Sequence, residues 1–148
     1  MKPPLILVNF KCYKEATGKN ALKLARICEK VSKKHRINVA VAPQFTDLYI
    51  ARKVKIPVFA QHVDAVEYGA FTGHVSPLVL KEIGVKGSIV NHSERKLELE
   101  TVGKCVELLK KYKLISVVCV DTLEKGKEIA NFKPEFIAYE DPILIGTG

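Results

Sequence analysis

A carboxylate, an imidazole, an ammonium and an amide stand at or just after the ends of short β-rich runs: Glu140 behind Tyr139, His92 in Asn91-His92-Ser93-Glu94-Arg95, and Lys11 and Asn9 in Val8-Asn9-Phe10-Lys11. Together these types suit proton abstraction beside a carbonyl. A carboxylate takes the proton, a neutral donor polarises the oxygen, and a cation stabilises the negative charge that develops. Taken singly, each has a duller explanation. Asn9 closes a turn, Lys11 is a solvated loop charge, His92 is a hydrogen-bonded histidine at a helix start, and Glu140 is a surface acid. Only a fold that gathers strand ends in one place turns the set into a site.

The rhythm of the chain predicts such a fold. Residues 5–9, 37–42, 58–61, 87–91, 114–120 and 136–139 are near-continuously apolar, as strands covered on both faces are. Helical patterns lie between them. Ala21, Leu24, Ala25, Cys28 and Val31 repeat at helical spacing, as do Val102, Cys105, Val106 and Leu109 ahead of the basic end Lys110-Lys111-Tyr112-Lys113. Thr46-Asp47 reads as the cap of a helix through Val54, and Ser76-Pro77 as cap and first-turn proline of one ending at Gly84. Asp121-Thr122 opens another before Asn131.

Strands alternating with helices imply a parallel sheet with right-handed crossovers. A doubly wound dinucleotide-binding sheet would show G-x-G-x-x-G after its first strand, and here Asn9-Phe10-Lys11-Cys12-Tyr13 follows instead. A (β/α) barrel is the better fit, and in barrels the chemistry sits where strands end.

Composition narrows the class. At 148 residues, with 47% hydrophobic and 27% charged, the chain suits one soluble domain that can bury its own core. No apolar run approaches the roughly 20 residues of a membrane span, and the start is too short for a signal peptide, so a cytoplasmic location is expected. The formal charge of +8 comes from lysines spread over helix faces, among them Lys30, Lys33, Lys34, Lys104, Lys110 and Lys111. Without interleaved aromatics this is the pattern of solvated faces and argues against nucleic acid, while a positive field favours small anions such as phosphorylated metabolites. None of the four cysteines has the paired spacing of zinc or redox motifs. Cys28, Cys105 and Cys119 read as buried small hydrophobes, and Cys12, after a lysine at a strand end, as the one open to a thiol role.

At the strand ends the sequence resembles the triosephosphate isomerase family. LVNFK, AFTGHVSP, NHSERK and AYEDPILIGTG are similar to that family's signatures and stand in its order, and residues 38–43 resemble its second strand. The likeness runs from about residue 5 to residue 148 and is greatest to the shorter, archaeal-type branch. It implies a TIM (β/α)8-type barrel and the interconversion of dihydroxyacetone phosphate and D-glyceraldehyde 3-phosphate through an enediolate, in glycolysis and gluconeogenesis. By the same resemblance Glu140 is the base, and His92 is a neutral electrophile at a helix start. Lys11 holds the anion with Asn9 beside it, and Glu94 orders the site. Residues 141–147 would form a lid whose backbone N–H groups near Ile145 and Gly146 meet the phosphate. No metal or organic cofactor is implied.

Two departures stand out. The family usually has proline where this chain has Asp141; a second carboxylate facing inward would disfavour the charged form of Glu140, and loss of the ring loosens the hinge. The second is length, because barrels of this type run to about 250 residues, or about 200 at the short end. Residues 1–148 are therefore expected to form a single partial barrel domain of six parallel strands ending at the loop after strand six, with strands seven and eight absent. Such a chain would leave two bare sheet edges. It would be impaired as an isomerase, and it would pair with a second copy or with a complementing C-terminal fragment. The alternative is a non-catalytic assembly or scaffold fragment descended from the enzyme, with residues 64–73 as the first contact to examine.

Overall fold

Residues 3–141 and Ile143 are described in the computed structural model, and they divide into two units. One comprises the chain up to Gln61 together with Val79–Lys86; the other comprises His62–Leu78 together with the chain from Gly87 onward. Among the described residues no helix is long and apolar enough to cross a membrane.

In the first unit, β1 (Leu5–Asn9) and β2 (Asn38–Ala42) pair in parallel, Leu5 opposite Asn38 and Asn9 opposite Ala42. Parallel neighbours need a long crossover. It is supplied by a 3-10 turn, Lys14–Ala16, and by α1 (Lys19–His35). Ala21 and Ala25 are the buried residues of α1, small enough for the helix to lie close to the strands. The helix begins at Gly18, whose φ of 58° and ψ of −128° suit a residue without a Cβ. Its last turn carries Lys33 and Lys34, cations that complement the negative end of the helix dipole. All of β2 after Asn38 is buried.

Residues 45–52 differ from expectation. They form a 3-10 helix, Phe45–Arg52, capped by Gln44, whose side chain accepts the Thr46 N–H at 2.6 Å. Asp47 is spent elsewhere: it is buried and its carboxylate accepts the Gly18 N–H at 2.8 Å, fastening the start of α1. The third strand is also shorter than residues 58–61. β3 is Phe59–Ala60, and Val58 makes only an isolated parallel bridge to Val41. α2 (Pro77–Glu82) starts on proline as expected. Ser76 does not cap it, since its hydroxyl is buried with no hydrogen-bond partner among the described residues.

In the second unit β5 (Ile115–Val120) lies between β4 (Gly87–Val90) and β6 (Phe136–Tyr139), all parallel. Val90 is opposite Val118, and Val120 is opposite Tyr139. The crossovers are α3 (Leu99–Lys111) and α4 (Leu123–Ala130). α3 buries Val102, Cys105, Val106 and Leu109, the stripe legible in the sequence, and each large side chain contributes roughly 1.5–3 kcal/mol. Thr122 caps α4 by accepting the Lys125 N–H at 3.2 Å. Glu135 stitches the start of β6 to β5. Its carboxylate accepts from the N–H and hydroxyl of Ser116 at 2.9 and 2.6 Å, and its own N–H donates to the Ser116 hydroxyl oxygen at 3.2 Å. Cys105 and Cys119 are buried and Cys12 is exposed, while Cys28 is only partly covered.

The segment between His62 and α2 is closed by one acid. Asp64 accepts the Val75 N–H at 2.7 Å and donates its own N–H to the Val75 carbonyl at 2.9 Å. Its other oxygen lies 3.0 Å from Nε2 of the buried His62. Burial drives His62 below its ordinary value of 6.5, with Arg95 adding to this and Asp64 opposing it. For Asp64 burial pushes up, but the hydrogen bonds from His62 and the Val75 N–H and the nearby His62 and His74 outweigh it, so the net direction is down. Both shifts have the same consequence. The unfolded chain takes up a proton on His62 that the folded chain resists, so stability is complete above pH 6.5 and falls as pH drops through that value. The slope cannot exceed ~1.4 kcal/mol per pH unit for one proton. Urea unfolding between pH 8 and pH 5 should show this decline, and His62→Asn should flatten it.

Candidate active site

At the end of β4 the chain turns sharply. Asn91 adopts φ 60°, a left-handed conformation that asparagine tolerates better than most residues, and the Arg95 N–H closes the turn on the His92 carbonyl at 2.7 Å. Within that turn the Glu94 N–H donates to His92 Nδ1 at 3.1 Å. Nδ1 must therefore present its lone pair, and the ring proton sits on Nε2. Nε2 lies 3.0 Å from Glu140 Oε1. The other carboxylate oxygen, Oε2, accepts the Ser93 N–H at 2.8 Å.

Glu140 is held in place by strand pairing. Its N–H donates to the Val120 carbonyl at 2.7 Å, extending the β5–β6 ladder by one residue. The side chains of His92 and Glu140 are 15% and 13% exposed, shielded enough to strengthen their contact yet open to a small molecule. Glu94 acts on the ring through its backbone; its carboxylate stands 3.6 Å from Nδ1, beyond hydrogen-bond reach. The expectation of a helix start at His92 is corrected here. α3 begins at Leu99, so the N–H that meets Nδ1 belongs to a turn.

A cavity of about 340 Å³ in this unit is lined by Asn91, Ser93, Cys119, Asp121 and Glu140, among others. Asp121, the first residue after β5, binds the Lys96 ammonium at 2.5 Å and the Lys125 ammonium at 2.9 Å, and these hydrogen bonds hold its carboxyl far below the usual range. Cys119 lies beside Glu140. Burial, then the charge of Glu140 and a hydrogen bond with it, push the thiol up to about 12.

In the first unit, Asn9 and Lys11 are joined at the end of β1. The Asn9 side-chain oxygen accepts the Lys11 N–H at 3.0 Å, and Lys11 has φ 48°. The Lys11 ammonium lies 5.9 Å from the centre of the Tyr13 ring. Gln61 completes the arrangement, its single side-chain nitrogen donating to the Lys11 carbonyl at 3.0 Å and to the Ala42 carbonyl at 2.9 Å. Sequence reasoning passed over Gln61; the available signal was a polar residue closing an apolar strand run. Asp141 accepts the Ile143 N–H on its own side chain at 3.0 Å. Ile145 and Gly146 lie outside the described residues.

A sequence profile described as triosephosphate isomerase matches residues 4–148. The chain belongs to the triosephosphate isomerase family. It is 47% identical to the triosephosphate isomerase of Methanothermus fervidus, over 100% of this chain and 67% of the relative. It is 42% identical to that of Methanobacterium bryantii, over 98% and 65% respectively. Among solved structures, the triosephosphate isomerase of Bartonella henselae superimposes with a TM-score of 0.67 at 25% identity, over 84% of this chain and 54% of that one. The chain thus spans about two thirds of the length of the curated triosephosphate isomerases it matches. The fold class is that of the family, parallel strands alternating with helices in an incomplete (β/α) barrel of six strands.

Two expectations follow from this geometry. Gln61→Ala strips two backbone carbonyls of a donor and should lower the free energy of unfolding by about 1–3 kcal/mol in denaturant titrations. A thiol-alkylating reagent at pH 8 should label Cys12 in the native protein and spare Cys119 and Cys105, both pushed up to about 12. In denaturant all four should react, and mass spectrometry reads the difference.

Proposed function

We propose that the protein interconverts dihydroxyacetone phosphate and D-glyceraldehyde 3-phosphate by carrying a proton between two carbons through an enediolate, a step of glycolysis and gluconeogenesis. The observation that carries the reading is the 3.0 Å contact between His92 Nε2 and Glu140 Oε1, an N–H donor and a carboxylate at the ends of the two strands that flank β5, in a member of this family.

In this reading Glu140 is the base. It rests on two N–H donors, Ser93 and His92, each a hydrogen bond to a charged group worth roughly 1.5–3 kcal/mol. Substrate contacts must replace these bonds as the carboxylate moves to a carbon. His92 gives its Nε2 proton to a substrate oxygen and takes one back. It does so as a neutral ring, because the Glu94 N–H occupies Nδ1 and a proton there would have to expel it. Lys11, with Asn9 against its backbone, stabilises the anionic substrate and its enediolate. Ile145 and Gly146 would meet the phosphate through backbone N–H groups. Shielding from water keeps the enediolate from losing phosphate before it is reprotonated.

The test is isomerisation by this chain alone and with a polypeptide supplying the remaining third of its relatives' length. Alone, we expect turnover far below that of a full-length relative, with phosphate release dominating. The completed protein should isomerise and take up solvent deuterium at carbon, and Glu140→Gln should lower kcat by ~10²–10⁴-fold. A folded, completed protein with Glu140 and His92 intact and no isomerisation would overturn the reading.

A further inference from the structure

The turn that carries His92, Ser93 and Glu94 is closed at its neck by one side chain. Asn91 donates from Nδ2 to the Cys119 carbonyl in β5 at 2.9 Å and accepts the Leu97 N–H on Oδ1 at 2.8 Å. Residues 91 and 97 are thereby drawn together and tied to the neighbouring strand. Five residues on from Asn91, Lys96 ties the same segment to β5 again through its 2.5 Å contact with Asp121, which Lys125 steadies from within α4. Everything between these two ties is short, and its inward face is the donor pair that meets Glu140.

We propose that Asn91 is a positioning residue, whose bridge between Cys119 and Leu97 fixes His92 as the Nε2–H tautomer aimed at Glu140. The inference rests on the reading of His92 and Glu140 as donor and base. Its physical ground is what asparagine adds over the alternatives. Glycine would adopt the left-handed backbone at lower cost but has no amide with which to bridge. Aspartate keeps an acceptor for the Leu97 N–H, loses the donor to Cys119, and adds a negative charge to the cavity that Glu140 also lines. With the neck open, the Glu94 N–H is free to leave Nδ1. The ring then loses the contact that selects its tautomer, and Nε2 is no longer committed to donating.

The experiment separates this role from plain stabilisation. With 15N-labelled histidine in the isolated chain at pH 8, His92 is assigned by the signal lost in His92→Gln. The expected spectrum shows one tautomer, with the proton on Nε2. Asn91→Gly should shift His92 toward a tautomer mixture while leaving the signals of His35, His62 and His74 in place. Asn91→Asp, which keeps one of the two bonds, should fall between, and it decides the matter if the glycine variant does not fold. A variant that keeps the single Nε2–H tautomer, or a wild-type His92 that lacks it, overturns the proposal. In the completed protein Asn91→Gly should lower kcat roughly ten- to a hundredfold with KM little changed, as misplacement of a reacting group does. If the completed wild-type protein does not isomerise while the tautomer responds as described, the functional reading fails and the positioning role stands.

Discussion

Parallel register across β4, β5 and β6 decides where every reactive group of the second unit stands. With Val90 opposite Val118 and Val120 opposite Tyr139, the turn after β4 and the residue after β6 flank the same end of β5. A slip of one residue between β5 and β6 would turn Glu140 to the other face, because strand side chains alternate. The alternation along β6 opposes such a slip, since it would bring Ile137 and Tyr139, now exposed, to the covered face and turn Phe136 and Ala138 outward. Hydrophobic covering thus sets a polar geometry.

On that base, charge is managed by short polar contacts. Glu140 sets its two carboxylate oxygens against the Ser93 N–H and the His92 ring rather than against a lysine or arginine. Lys96 and Lys125, which line the same cavity, are spent on Asp121 instead. Cys119 adds a neutral neighbour, since beside a carboxylate and out of water a thiol keeps its proton. The Glu140 carboxylate is thus flanked by the Ser93 N–H, the His92 ring and the Cys119 thiol.

Much of this was legible in the sequence, and the parts that were not have physical reasons. The places of the strands along the chain and the helix stripe Val102, Cys105, Val106 and Leu109 follow from apolar patterning, which burial enforces directly. The Thr46-Asp47 cap was misread because a capping residue type says nothing about which N–H it will meet; Asp47 reaches 29 residues back to Gly18. Gln61 and Asn91 were passed over for the same reason. Their importance lies in bonds to backbone atoms distant in sequence, Ala42 and Cys119, which no local pattern encodes. A helix start was expected at His92 and a turn stands there instead, with the helix beginning only at Leu99, just ahead of the apolar stripe that holds it.

The stitch between Ser116 and Glu135 has a mechanical meaning for Glu140. β6 is only four residues long, clasped at its first end by three hydrogen bonds and at its last by the Glu140 N–H on Val120. A beam pinned at both ends over so short a span hardly bends. The Cα of Glu140 is therefore anchored from both sides, and in the proposed role its carboxylate would reach a substrate by rotation about its own side-chain bonds, a stroke set by the length of a glutamate and not by any displacement of the sheet.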